Sequence, residues 1–172
     1  PAYSLREIHE DDLDLVRSWR NSKRVRDASF TRHEISKEEH QKWFQALKNS
    51  KMKRCFVFER NKTPLGLVQF GDISEKTRSC EWGFYLGEEG LPKGTGTTMG
   101  TLALNLAFET FPVDAVKAEC IWDNQISIHF HKKLGFLETG RSQKHRVQDG
   151  KEIEMVMFSL SREDWMKKQR AA

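Results

Sequence analysis

Cysteine is scarce in this chain. The three residues, Cys55, Cys80 and Cys120, are an odd number without metal-ligand spacing, so neither a disulfide framework nor a metal site is expected. They read as reduced core thiols of a cytoplasmic protein. Long apolar runs are absent: nothing approaches the roughly 18 residues that a membrane span needs, and no signal-peptide pattern opens the chain. No membrane partner is expected. Basic runs are absent too. The 29 Lys and Arg are interleaved with 25 Asp and Glu, a net charge of +4 with no block of five basic residues, which disfavours a nucleic-acid groove. There are no internal repeats, low-complexity segments or linkers, so residues 1–172 are expected to form a single α/β domain. At 37% hydrophobic and 31% charged, the composition is that of a folded chain rather than a disordered one.

What is present is a glycine loop, Lys93-Gly94-Thr95-Gly96-Thr97-Thr98-Met99-Gly100, between a strand-like segment (Cys80–Leu86) and a long apolar helix pattern. Glycines let the backbone approach a ligand closely, and first-turn N–H groups lack intrahelical partners, so such a loop is an anion site. Lys93 adds a point charge. A Walker A loop is excluded because no lysine follows Gly100, and the dinucleotide fingerprint fails because Gly94, Gly96 and Gly100 are spaced two and four apart. The bland alternative is a glycine turn that merely begins a buried helix.

Taken in order, Tyr3–Ile8 alternates as a strand, Leu13, Val16 and Trp19 recur at helical spacing, and Lys23–Ile35 is polar and irregular. Ser36-Lys37-Glu38-Glu39 is a capping box that opens a second helix. Arg54–Glu59, Pro64–Ile73 and Cys80–Leu86 form a meander, followed by the loop helix and a strand at Ala115–Ile121. Asp123-Asn124 caps a short helix that stops at Gly135, and Asp149-Gly150 turns a hairpin spanning Phe136–Leu160. The order is β-α-α-β-β-β-α-β-α-β-β, with a capped terminal helix from Ser161.

Two stretches carry a family resemblance. Leu91-Pro92-Lys93-Gly94-Thr95-Gly96 is similar to the pyrophosphate loop Gln/Arg-x-x-Gly-x-Gly/Ala of the GNAT N-acetyltransferases, with Leu91 departing from the usual Gln or Arg. Asn124 to Phe136 resembles the second signature of that family, and the same element order extends the resemblance over nearly the whole chain. It implies the GNAT fold, a mixed and mostly antiparallel sheet flanked by helices, and acetyl-CoA as co-substrate without a metal. Ser18–Asn21, Ile35–His40 and Glu81–Tyr85 resemble the bacterial branch that acetylates the 4-amino group of a UDP-linked amino-dideoxy sugar in pseudaminic acid biosynthesis.

Acetyl transfer needs a held thioester, a neutral amine and a proton for the departing thiolate. By resemblance, Lys93, Gly94, Thr95, Gly96, Thr97 and Thr98 hold the pyrophosphate, Tyr85, Leu86 and Gly87 flank the pantetheine arm, and Asn124, Ser127, Phe130 and Lys133 complete the cofactor site. Asn124 and His131 stand two helical turns apart and share a face. His131 occupies the usual tyrosine position and is expected to be the general acid, unless it is a surface histidine. Glu119, and after it Glu81, is the expected base, although alternation alone points half of each strand outward.

Arg20, His40 and Tyr85 match positions that the resemblance assigns to nucleotide phosphates. Arg20 could equally be a solvated helix end and His40 a first-turn surface residue. Asp72 speaks against the sugar acceptor, since an acid there repels phosphate. Trp43, Phe44, Trp82 and Trp122 are more readily core than a stacking platform. Ribosomal N-termini and polyamines are the alternative acceptors, but they want an acidic cleft, whereas Arg20, Arg24, Arg26, His33 and His40 make these segments basic. A basic RNA-binding module is the non-enzyme alternative. The terminal hairpin is long enough to pair across a homodimer, though nothing in its pattern demands it.

Overall fold

Alternation and turn chemistry build the first half of the sheet. The computed structural model describes residues 2–172. In it β1 (Tyr3–Glu7), β2 (Arg54–Arg60), β3 (Thr63–Ser74) and β4 (Ser79–Leu86) form an antiparallel series, each paired with the next. Asn61 and Lys62 join β2 to β3 at φ 49° and 70°, the left-handed pair that a tight hairpin turn requires. Asp72 also takes a left-handed φ of 46°, at an irregularity where the β3–β4 register shifts, a conformation an aspartate tolerates better than most side chains.

The helices between β1 and β2 are set by their caps. A single 3-10 turn (Glu10–Asp12) leads into α1 (Leu13–Asn21), which buries Leu13, Val16 and Trp19. Ser36 Oγ accepts from the Glu39 N–H at 3.1 Å and starts α3 (Lys37–Lys48), the N-cap half of the expected box, while the Glu39 carboxylate turns to His33 instead of closing it. One expectation is corrected here. Lys23–Ala28 is not irregular but a short helix, α2, capped by Ser22 Oγ on the Val25 N–H and anchored by buried Val25. Six residues with one apolar contact are too few to show a helical period, so tertiary packing decides the conformation.

The second half comprises α4 (Thr95–Thr110), β5 (Ala115–Ile121), α5 (Gln125–Leu134), β6 (Leu137–Arg146), β7 (Lys151–Ser161) and α6 (Arg162–Ala171). α4 passes through the core, burying Met99, Ala103, Leu104, Ala107 and Phe108. At Gly100 an added Cβ would lie 2.9 Å from both Leu134 Cδ1 and Phe130 Cζ, so glycine lets α4 and α5 meet. Asn124 Oδ1 accepts from the Ser127 N–H at 3.1 Å to start α5, and Gly135 ends it at φ 104°.

The seven strands lie in the order β1-β2-β3-β4-β5-β7-β6. This is the mixed, mostly antiparallel sheet with flanking helices that the sequence predicts. Its parallel neighbours are β4 and β5, which pair only from Ser79 with Ala115 to Glu81 with Lys117. Beyond that point Trp82–Leu86 and Ala118–Ile121 diverge into a fork. Because β4 and β5 point the same way, the helices that follow them begin at the same end of the sheet. The β6–β7 hairpin extends past the fork: β5 ends at Ile121, opposite Met155, while the hairpin pairs on to Arg146 and Lys151. Its overhanging end docks on the α2–α3 connection, where Arg146 Nη1 donates to the Phe30 carbonyl at 3.1 Å.

Candidate active site

A cavity of about 630 Å³ opens at the fork. β4 contributes Trp82 to Leu86, β5 Glu119 to Ile121, α4 Gly96 and Met99, and α5 Asn124, Ser127, Phe130 and His131. Arg20, Arg24 and Ser29–Thr31 close the far side. A smaller recess of about 230 Å³ shares Arg20, Thr31 and Gln69 with it and is walled further by His40 and Trp43.

The glycine loop fits an anion through its backbone. Gly94 caps α4 at φ 92°, a left-handed conformation that favours glycine. The Gly96 and Thr97 amides in the first turn have no backbone partner among the described residues. Thr95 Oγ1 turns inward to the Pro92 carbonyl at 2.6 Å, and Thr98 Oγ1 bonds the Gly94 carbonyl at 3.2 Å. Those two hydroxyls are engaged locally, leaving free N–H groups and the helix dipole to meet a pyrophosphate. Lys93 and Lys133 are exposed and lie outside the cavity wall.

Tyr85 and Leu86 line the fork, but Gly87 departs from expectation. Its N–H already donates to the Leu65 carbonyl at 2.8 Å, and its Cα faces the Trp19 ring so closely that a Cβ would lie 2.1 Å from the indole. Arg24 Nη2 bonds the carbonyls of Leu86 and Gly87 at 2.9 and 3.2 Å. These backbone groups fix the end of β4 rather than offering themselves to a ligand.

His131 is corrected most. It is 2% exposed, and both ring nitrogens are committed. The Trp82 indole N–H donates to Nε2 at 3.1 Å; since indole can only donate, the imidazole proton sits on Nδ1 and goes to the Ser127 carbonyl at 2.8 Å. Burial holds its pKa below the usual histidine range, so it is neutral at pH 7 and its one proton faces the helix backbone. This geometry does not fit a general acid. On the same face Ser127 Oγ lines the cavity, 3.0 Å from Cys120 Sγ. Burial pushes the Cys120 thiol up, so it is no ready nucleophile.

Burial also lowers His40, with Arg17 and Arg20 adding to the effect. The sign for stability follows: both buried histidines stay neutral in the folded chain, while the unfolded chain takes up protons below about pH 6.5. Stability is therefore full above pH 6.5 and falls as pH drops toward the folded pKa values, by up to ~1.4 kcal/mol per pH unit for each group. His131→Gln keeps an acceptor for Trp82 and removes one titrating group. Urea unfolding at pH 7.5 and 5.5 is expected to show a smaller loss in this variant than in the wild type; equal losses would contradict the assignment.

Of the two carboxylates, Glu119 lines the cavity, with Oε1 2.6 Å from Lys144 Nζ. Glu81 stands at the last paired position before the fork, outside the cavity wall. Burial, and then Asp72 and Glu119, raise its pKa.

On the acceptor side the structure brings Arg20, His40 and Tyr85 together around the joined recesses. Arg20 Nη1 donates to Ser29 Oγ at 3.1 Å and has guanidinium donors to spare. His40 is buried, stacked on Trp43 with ring centroids 4.9 Å apart. The Tyr85 hydroxyl is buried without a partner, and burial holds the phenol far above its usual pKa. Phe44 and Trp82 are core residues as expected, whereas Trp122 is 50% exposed and belongs to no core. Sequence reasoning did not single out Phe30, Gln69 or Lys144. No local pattern marks them; they reach the site only through tertiary docking.

Residues 4–137 match the acetyltransferase (GNAT) domain, and with this fork, loop and cavity the chain belongs to the GNAT family: it is an acetyl-CoA-dependent N-acetyltransferase. Among its relatives, the acetyltransferase PseH of Campylobacter jejuni is 28% identical over 132 residues, covering 76% of this chain and 80% of that protein. The spermidine N(1)-acetyltransferase of Vibrio cholerae is 24% identical over 138 residues, 80% of each chain. The solved structure of spermidine N-acetyltransferase from Vibrio cholerae, in complex with CoA and spermine, superimposes with a TM-score of 0.85 at 21% identity, over 95% of this chain and 98% of that one.

Proposed function

We propose that the chain acetylates the amino group of a nucleotide-linked amino sugar, the 4-amino group of a UDP-linked amino-dideoxy sugar being the first choice. The observation that carries this reading is the charge of the acceptor side. Arg20 and Arg24 face the cavity, His40 closes the adjoining recess, and Glu119, the carboxylate in the main wall, is already paired with Lys144. In the smaller recess, the carboxylate of Glu39 is turned to a hydrogen bond with His33 at 2.8 Å. A polyamine would find no unengaged carboxylate in the main wall; a diphosphate finds the spare guanidinium donors of Arg20, suited to its oxygens. The likeness to PseH agrees with this charge, while the spermidine acetyltransferases share the fold.

Acetyl-CoA supplies an activated acyl group as a thioester. The chain's own residues do the rest. The α4 amides anchor the pyrophosphate, the fork leaves one edge of β4 unpaired beside the cavity, and Arg20 orients the acceptor. The amine proton leaves toward Glu119, the carboxylate in the cavity wall. Ser127, the cavity-lining hydroxyl of α5, donates a hydrogen bond to the departing sulfur in place of His131.

Thiol release from acetyl-CoA is to be measured with a UDP-4-amino-dideoxy sugar, spermidine and an alanine-headed peptide. Turnover on the sugar alone supports the proposal, and turnover on peptide or spermidine alone overturns it. Arg20→Ala is expected to raise KM for the sugar 10- to 100-fold with kcat changed far less, as loss of one charge-assisted phosphate bond of ~1.5–3 kcal/mol would do.

A further inference from the structure

Two cations and one carboxylate make up the charged wall of the main cavity among the described residues: Arg20, Arg24 and Glu119. The carboxylate is not free to meet a ligand as a bare charge. Lys144 Nζ reaches Glu119 Oε1 at 2.6 Å from the overhanging β6–β7 hairpin, without lining the cavity itself. The same ammonium sits 4.5 Å from the centroid of the Phe30 ring, and Phe30 is a wall residue whose carbonyl is held by Arg146. Lys144 is thus fixed between two parts of the cavity wall.

Folding gains little from this pair. Its side chains are 45% and 35% exposed, and ion pairs so placed contribute ~0–1 kcal/mol. What the pair changes is the charge the cavity presents. With Lys144 in place, Glu119 is offset and Arg20 leaves the wall cationic, Arg24 being itself paired with Glu89 at 3.4 Å; without it, the wall gains an unpaired carboxylate beside the fork.

We infer that Lys144 is a specificity-determining residue that, by holding Glu119, keeps the acceptor end cationic and excludes polycationic amines. An oligoamine carries several ammonium groups at neutral pH. Arg20 repels them, and Glu119 is the wall residue that would anchor one. Lys144 occupies that anchor. A phosphate-bearing acceptor loses nothing by this, since its charge goes to Arg20. Lys144 acts through Glu119, so it is a positioning residue rather than a catalytic one. The inference uses the acceptor end proposed above but not the identity of the acceptor.

The test is spermidine binding, by calorimetry, to the full chain saturated with coenzyme A. Lys144→Met is expected to tighten spermidine roughly tenfold, with Lys144→Gln as a second neutral variant doing the same. Lys144→Arg should match the wild type, and Glu119→Gln combined with Lys144→Met should lose the gain. Unchanged spermidine affinity in both neutral variants, or a gain that persists without Glu119, overturns the inference. A merely structural role for Lys144 would weaken all ligands alike and would not yield a gain that depends on Glu119. If the wild type fails to acetylate the UDP-amino sugar, the proposed function falls while this binding comparison still stands or fails on its own.

Discussion

Gly96→Trp is expected to abolish the stabilisation that coenzyme A gives the wild type and to reduce acetyl transfer by more than about 100-fold. Gly96 sits in the first turn of α4, at the cavity wall. A Cβ at this position would meet only Phe130 Cε1 at 3.7 Å and Leu86 Cδ1 at 3.8 Å, which is ordinary contact. The backbone therefore tolerates a side chain, and what an indole removes is the space beside the free amides. Ligand at 100 times its Kd stabilises a protein by ~2.7 kcal/mol, which for a chain of this length raises Tm by about 5–10 °C. Thermal scans with and without coenzyme A should show that shift in the wild type and none in Gly96→Trp. Gly96→Ala is the control: it should keep most of the shift and, by replacing a helical glycine, gain a few tenths to 1 kcal/mol without ligand. A full shift in the tryptophan variant would mean that the pyrophosphate is held elsewhere.

The second large effect concerns Gly87. An added methyl would lie 2.1 to 2.4 Å from three atoms of the Trp19 indole. The ring has little room to yield: Trp19 is 3% exposed, its Nε1 bonds Glu88 at 2.9 Å, and Tyr85 packs edge-on against it. Overpacking of this kind costs ~1–3 kcal/mol and sometimes more, so Gly87→Ala is expected to lose about 3 kcal/mol in urea unfolding. Because the strain sits where Arg24 secures the Leu86 and Gly87 carbonyls, KM for acetyl-CoA should rise as well. Trp19→Leu in the same chain should recover part of the loss, a coupling expected only of residues in contact. Additive losses in the double variant would place the cause outside this contact.

Those two glycines also divide what was legible in the sequence from what was not. Gly96 belongs to a local pattern of strand, glycine loop and apolar helix, and local patterns follow from backbone chemistry. The Asn124 and Gly135 caps of α5 were legible for the same reason. Gly87 and Trp19 are far apart in sequence, and nothing near either announces the other. His131 shows a subtler limit. Helical spacing places it on one face with Asn124, and both line the cavity, but which way its ring hydrogen bonds depends on Trp82, from a different strand. Spacing gives a residue's face; only packing gives its protonation and its partners. The Lys144, Glu119 and Phe30 cluster lay furthest out of reach, since three separate segments meet in it.

The bond from Arg146 to the Phe30 carbonyl crosses 116 positions of chain. During synthesis the loop that meets the pyrophosphate, the fork and the first acceptor residues all emerge before β6. The far wall of the cavity then waits for the last hairpin to fold back over residues made long before. Until that hairpin arrives β5 also lacks its antiparallel partner and the core lacks Val156, Phe158 and Leu160, so the fork and the acceptor space are completed together by the last strands to be made.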